Sequence, residues 1–141
     1  AQHARVIVLE RESQPGYHTT GRSAALFAES YGTDQVRALT VASRPFFEAP
    51  PDGFAEAPLL SSRGALFVGT PDQTGELDAL FATLRRQSDL MRRLDAAAVL
   101  ELVPVMESAR LAGGVLDPLA ADMDVHAIHQ GFLRGTRARG G

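Results

Sequence analysis

Val6-Ile7-Val8-Leu9-Glu10-Arg11, followed by Pro15-Gly16-Tyr17-His18-Thr19-Thr20-Gly21-Arg22-Ser23-Ala24-Ala25, is the stretch that decides how this chain is read. The apolar run Val6 to Leu9, mostly β-branched, suits a strand covered on both faces, as in a parallel α/β sheet. An acidic residue closing such a strand stands where dinucleotide-binding folds hold a ribose hydroxyl. The loop after it offers hydroxyls, backbone N–H groups and an arginine, donors suited to a pyrophosphate or a flavin ring. Residue types therefore predict a cofactor-binding element.

Composition narrows the rest. A chain of 141 residues is long enough for one ordinary domain, and its 45% hydrophobic share is that of a soluble globular protein. A net charge of −3 and a pI near 5.8 give no polyanion-binding signal, so nucleic acid is not an expected partner. Without cysteine there is no disulfide, thiolate metal site or cysteine nucleophile, which fits a reducing compartment and a cytoplasmic location. No apolar run approaches the roughly 20 residues of a membrane helix, and no signal-peptide pattern opens the chain. The sequence begins without methionine and ends on a helix tail with Gly140-Gly141. One strong core strand cannot build a parallel sheet, so truncation at both ends is expected.

In chain order, residues 1 to 4 read as a last helical turn, with Arg5 leading into the strand. Residues 12 to 23 form a loop. Ser23 caps a short helix through Ala28, closed by Tyr31-Gly32. Thr33 or Asp34 caps a helix to about Phe47, with Val36, Leu39, Ala42 or Ser43 and Phe46 on one face. Pro50-Pro51-Asp52-Gly53 ends it in a turn. Pro58 to Ser61 and Gly64 to Gly69 read as short strands joined at Ser62-Arg63. Thr74 or Gly75 opens a helix with Leu77, Leu80, Phe81 and Leu84 at helical spacing. Residues 89 to 94 suggest a short strand. Asp95 caps a helix that stops near Val103 because Pro104 follows. Ala112 to Leu116 is a strand ended by Asp117-Pro118. The last helix starts around Asp122 to Asp124, places Val125, Ile128, Phe132 and Leu133 on one face, and runs to Arg139.

Two positions carry the chemistry. A carboxylate at Glu10 accepts hydrogen bonds from vicinal ribose hydroxyls and repels a 2′-phosphate; as an isolated feature it is equally an ordinary surface acid. Arg11 beside it either flanks the adenine or is a solvated charge. Thr19-Thr20-Gly21-Arg22-Ser23 combines a glycine, for close backbone approach, with anion donors. His126 and His129 share a helix face, but the sequence places no third ligand, so no metal site is expected. Tyr31 is the hydroxyl-bearing aromatic close to the loop in sequence, and either packs in a core or meets a ligand.

Val6 to Glu12, Gln14 to Ala25 and Tyr31-Gly32 together resemble the N-terminal region of FAD-dependent oxidoreductases of the D-amino-acid oxidase superfamily, and within it the bacterial D-arginine dehydrogenase type. The resemblance continues through Gln35 to Thr40, Pro58 to Ser61, Val103-Pro104-Val105 and His129 to Gly135. It implies an α/β fold: part of a Rossmann-like FAD-binding domain with part of a mixed α+β substrate domain. The implied division is 1–48 for the FAD-binding region, 49–118 for the substrate portion, and 119–141 for a helix returning to the FAD side. The implied reaction oxidises the Cα–N bond of an amino acid, a D-amino acid, by hydride transfer to flavin, with a small amino acid or amine as partner and an acceptor other than oxygen. A non-catalytic flavin- or nucleotide-binding module is the alternative.

Carried over by position, Glu10 binds the adenosine ribose with Arg11 adjacent. Thr19, Thr20, Gly21, Arg22, Ser23, Ala24, Ala25 and Leu26 wrap the pyrophosphate and isoalloxazine region, and Tyr31 lies in the substrate pocket. The D-arginine type has a histidine at the position of Leu26 and a substrate-pairing glutamate at that of Ala65. A guanidinium opposite Ala65 has no partner there, which shifts the expected substrate away from D-Arg and D-Lys toward neutral or apolar substrates, or toward another secondary or primary amine altogether. The family's glycine-rich turn and its substrate-carboxylate arginine fall outside residues 1 to 141, so the chain alone is not expected to be active.

Overall fold

A computed structural model describes residues 6–141, and the expected helical turn at 1–4 with Arg5 lies outside the described residues. Its elements run β1 (Leu26–Phe27), α1 (Asp34–Glu48), β2 (Leu60–Ser62), β3 (Ala65–Gly69), α2 (Thr74–Arg85), β4 (Arg92–Asp95), α3 (Ala96–Leu102), β5 (Gly113–Asp117), β6 (Ala121–Met123) and α4 (Val125–Arg137). A short 3₁₀ turn at Thr20–Arg22 precedes β1. The chain divides into two units. The first takes in the described residues through Phe27 with Leu39–Ser61 and Asp122–Gly141; the second is Ala28–Ala38 with Ser62–Ala121.

The second unit is organised on the sheet β3-β5-β4, antiparallel throughout. Ala65 stands opposite Asp117, Phe67 opposite Val115 and Leu94 opposite Gly114. The central strand is glycine-rich for a steric reason. A Cβ at Gly113 (φ +145°) would lie 2.4 Å from the Leu94 carbonyl oxygen, and one at Gly114 would lie 2.7 Å from that of Phe67. Alternation splits the apolar residues between two clusters. Val115 joins Leu77, Leu84 and Met91, which brings the predicted stripe of α2 onto the sheet. Leu94 joins Val99 and Leu111, tying in α3. Asp95 caps α3, its Oδ1 accepting the Ala98 N–H at 2.8 Å.

In the first unit Asp124 caps α4, its Oδ1 accepting the Ala127 N–H at 2.8 Å. Gly131 is buried because the Phe54 ring and carbonyl occupy the place of a Cβ, at 2.6 and 2.7 Å. Phe46, Phe54 and Phe132 then form an aromatic cluster, with ring centroids 5.0 to 5.8 Å apart. The remaining sheet has the order β1-β6-β2. Among the described residues no helix is long and apolar enough to cross a membrane.

Three expectations are corrected, and a fourth, the pair of strands at 58–61 and 64–69, holds. Val6 to Leu9 forms no strand, and Ile7 and Leu9 are 82% and 91% exposed. No strand among the described residues pairs with the run, and without a ladder its N–H and C=O groups go to solvent. The helix expected from Ser23 to Ala28 is absent. Leu26–Phe27 is instead β1, and the Ala25 carbonyl accepts the Met123 N–H at 3.1 Å. Sheet pairing there overrides the helical propensity of alanine and leucine. In α1 the expected apolar stripe is covered only at Phe46. Val36 and Leu39 are exposed, while Arg37, Thr40, Arg44 and Phe47 are half-buried at helical spacing. The strands at 58–61 and 64–69 do form, but they belong to different sheets.

Candidate functional site

The acidic position is held by its own chain. Glu10 Oε1 accepts the Glu12 N–H at 2.9 Å. This bond, helped by the Arg11 N–H and the charges of His18 and Arg11, holds the Glu10 carboxyl below its ordinary value of 4.5. Glu12 Oε1 in turn lies 3.1 Å from both Arg11 Nη2 and His18 Nε2. The anion at Glu10 is thus fixed in place by short-range contacts and faces solvent.

The loop that follows is shaped by two glycines. Gly16, after Pro15, takes φ +82°, and its carbonyl accepts the Gly21 N–H at 2.7 Å. A Cβ at Gly21 would meet that same oxygen at 2.7 Å, so only glycine closes the loop here. Arg22 and Ser23 then donate to the Thr19 and Thr20 carbonyls at 3.4 and 3.5 Å, forming the 3₁₀ turn. The His129 ring from α4 lies against Gly16, 3.1 Å from the place of its Cβ, which seats the loop on that helix. The Arg22 guanidinium stacks 5.3 Å over the Tyr17 ring, and Tyr17 meets His18 edge to face at 5.1 Å. Ala24 and Ala25 lead directly into β1, where Leu26 is partly exposed and Phe27 is buried under the Arg44 guanidinium.

This donor set fits a pyrophosphate. Between Ser13 and Ala28 there is no carboxylate, and Thr19, Gly21, Arg22 and Ser23 are exposed. The hydroxyls of Thr19, Thr20 and Ser23 make no side-chain hydrogen bond among the described residues. The hydroxyls and one guanidinium are therefore available to a dianionic diphosphate, while the Glu12 carboxylate beside the loop is held by Arg11 and His18.

Tyr31 belongs to the second unit. It is 72% exposed, directly after the buried run Ala28-Glu29-Ser30 and before Gly32 at φ +91°. Ala65 is in the same unit, on β3 opposite Asp117. Asp117 is fully buried; Oδ1 accepts the Leu119 N–H at 2.9 Å, and Oδ2 has no partner. The carboxylate thus closes the Asp117-Pro118 turn, an Asx arrangement that the dipeptide itself signals. Reading the sequence alone missed His129 as the support of Gly16, because nothing in its spacing announces a loop contact. It also gave Arg37 no role. Among the described residues no group of His, Asp and Glu could hold a metal ion.

The family model described as DAO, FAD dependent oxidoreductase, matches residues 1–141. Among solved structures, the chain is similar to glycine oxidase from Geobacillus kaustophilus, with 16% identity and a TM-score of 0.72. That match covers 89% of this chain and 36% of the glycine oxidase chain. The chain has the fold of part of that enzyme and spans about a third of its length.

Proposed function

This chain belongs to the DAO family of FAD dependent oxidoreductases, and on that premise we propose that it is the portion of an amino-acid-oxidising flavoenzyme that grips the cofactor and begins the substrate side. The cofactor is FAD. The observation that carries the reading is the glycine-closed, carboxylate-free loop at Gly16–Ser23 with its uncommitted hydroxyls. When bound, FAD supplies a two-electron acceptor for the hydride of the substrate Cα–H. Thr19, Thr20, Arg22 and Ser23 hold the pyrophosphate, and Glu10 receives the ribose hydroxyls with Arg11 alongside. Ala24, Ala25 and Leu26 follow the cofactor toward its ring.

Tyr31 faces the amino acid on the substrate side. With Leu26 and Ala65 apolar, no carboxylate from these positions meets a cationic substrate tail, so neutral or apolar D-amino acids are preferred over D-arginine. The division into 1–48 as the FAD-binding region, 49–118 as the substrate-domain portion and 119–141 as a helix returning to the FAD side belongs to the same reading. A cytoplasmic setting belongs to the same reading, supported by the cysteine-free composition.

The test is anaerobic mixing of the full-length flavoprotein with glycine, D-alanine, D-leucine and D-arginine while flavin absorption is followed. Bleaching by a neutral D-amino acid, with kcat/KM at least about tenfold above that for D-arginine, is expected. Preference for D-arginine overturns the specificity. No bleaching by any amino acid favours a binding module without turnover.

A further inference from the structure

Tyr31 sits on a turn that is unusually well tied for an exposed segment. The Tyr31 N–H donates to the Ala28 carbonyl at 3.3 Å, and the Arg37 N–H donates to the Thr33 carbonyl at 2.9 Å. Gly32 has φ +91°, and a Cβ there would come within 2.9 Å of Val36 Cγ1. The Arg37 side chain, 12% exposed, folds back from the first turn of α1 onto this segment. Its Nη1 donates to the Gly32 carbonyl at 2.6 Å, and its Nη2 pairs with the Asp34 carboxylate. Its Nε is buried without a partner among the described residues, as is the Ser30 hydroxyl.

We infer that Arg37 is a positioning residue that clamps the Tyr31 turn and so sets how tightly the amino acid binds. The planar fork of a guanidinium presents separate nitrogens to a carbonyl and a carboxylate in a fixed geometry, which the single nitrogen of an ammonium does not provide. An unmet buried N–H is costly, and the charge-assisted bonds of the other two nitrogens offset that cost. The inference rests on the proposal that Tyr31 faces the substrate.

The test uses the full-length flavoprotein with Arg37→Met, Arg37→Lys, Tyr31→Ala and the Arg37→Met/Tyr31→Ala double variant. The substrate is whichever of glycine, D-alanine, D-leucine or D-arginine bleaches the flavin fastest. Arg37→Met should speed amide hydrogen exchange of the 28–37 segment by about tenfold or more. It should raise KM about tenfold with kcat within about threefold, and leave the FAD Kd within about twofold. Arg37→Lys should fall between, and carries the comparison if Arg37→Met does not fold. The double variant should bind substrate no worse than Tyr31→Ala, because the clamp acts only through the tyrosine. Unchanged exchange, unchanged KM, or multiplying effects in the double variant overturn the inference. An unchanged KM in Tyr31→Ala overturns the substrate role of Tyr31, while the exchange result still decides the clamp.

Discussion

Ile7 and Val115 are both β-branched side chains in short apolar stretches, yet Val115 is fully buried and Ile7 is mostly exposed. Val115 has Phe67 and Arg93 opposite it on its two flanking strands, and the α2 stripe beneath it. The run at 6–9 has no such flanks among the described residues, so the same side-chain chemistry buries nothing there. Burial is a property of the partners as much as of the residue. The two regions also differ in what they spend polar groups on. The β3-β5-β4 sheet satisfies its backbone internally, whereas the Gly16–Ser23 loop leaves hydroxyls and a guanidinium facing out.

The largest effect that this contrast predicts is at Leu84, fully buried in the α2 cluster. Leu84→Ala should cost about 2–5 kcal/mol of stability in denaturant unfolding; a loss under about 1 kcal/mol would break the claim that this cluster is the core of its unit. Asp95→Ala and Asp124→Ala remove the α3 and α4 caps and should each cost about 1 kcal/mol. Near-zero changes would show that the caps are replaced by solvent. Ile7→Ala and Leu9→Ala should change the stability of the 141-residue chain by less than about 0.5 kcal/mol. A core-sized loss at either would erase the difference between the two runs.

The smallest effect concerns Glu10. Its folded pKa lies below the ordinary 4.5, so whatever it contributes to loop order is present above that value and fades as pH falls through the folded pKa. A carboxyl titration by NMR should place its midpoint under 4.5. A midpoint at or above it would mean that the Glu12 N–H bond does not persist.

The legibility of the sequence follows the same division. α2, α3 and α4 were readable because Leu77, Leu80, Phe81 and Leu84 repeat at helical spacing, and because Asp95 and Asp124 stand where an N-cap must. The stripe of α1 misled because long polar side chains at Arg37 and Arg44 fold onto the chain and cover the side that hydrophobicity does not mark. β6 was missed because Ala121–Met123 has no strand composition of its own and is a strand through pairing. At the candidate site, the turn dipeptide Pro15-Gly16 and the donors at 19–23 were visible as types. The Gly16–Gly21 closure was not, since it depends on the backbone path of the loop, and the support by His129 was not, since that contact comes from distant sequence.

The central claim, that Gly16–Ser23 is the pyrophosphate grip, is tested most directly by calorimetric titration of FAD into the full-length apoprotein carrying Arg22→Ala with Ser23→Ala. Loss of one charge-assisted and one neutral hydrogen bond predicts a Kd weaker by about fiftyfold or more, with thermal stability of the apoprotein nearly unchanged. A Kd within about twofold of the unsubstituted protein would contradict it.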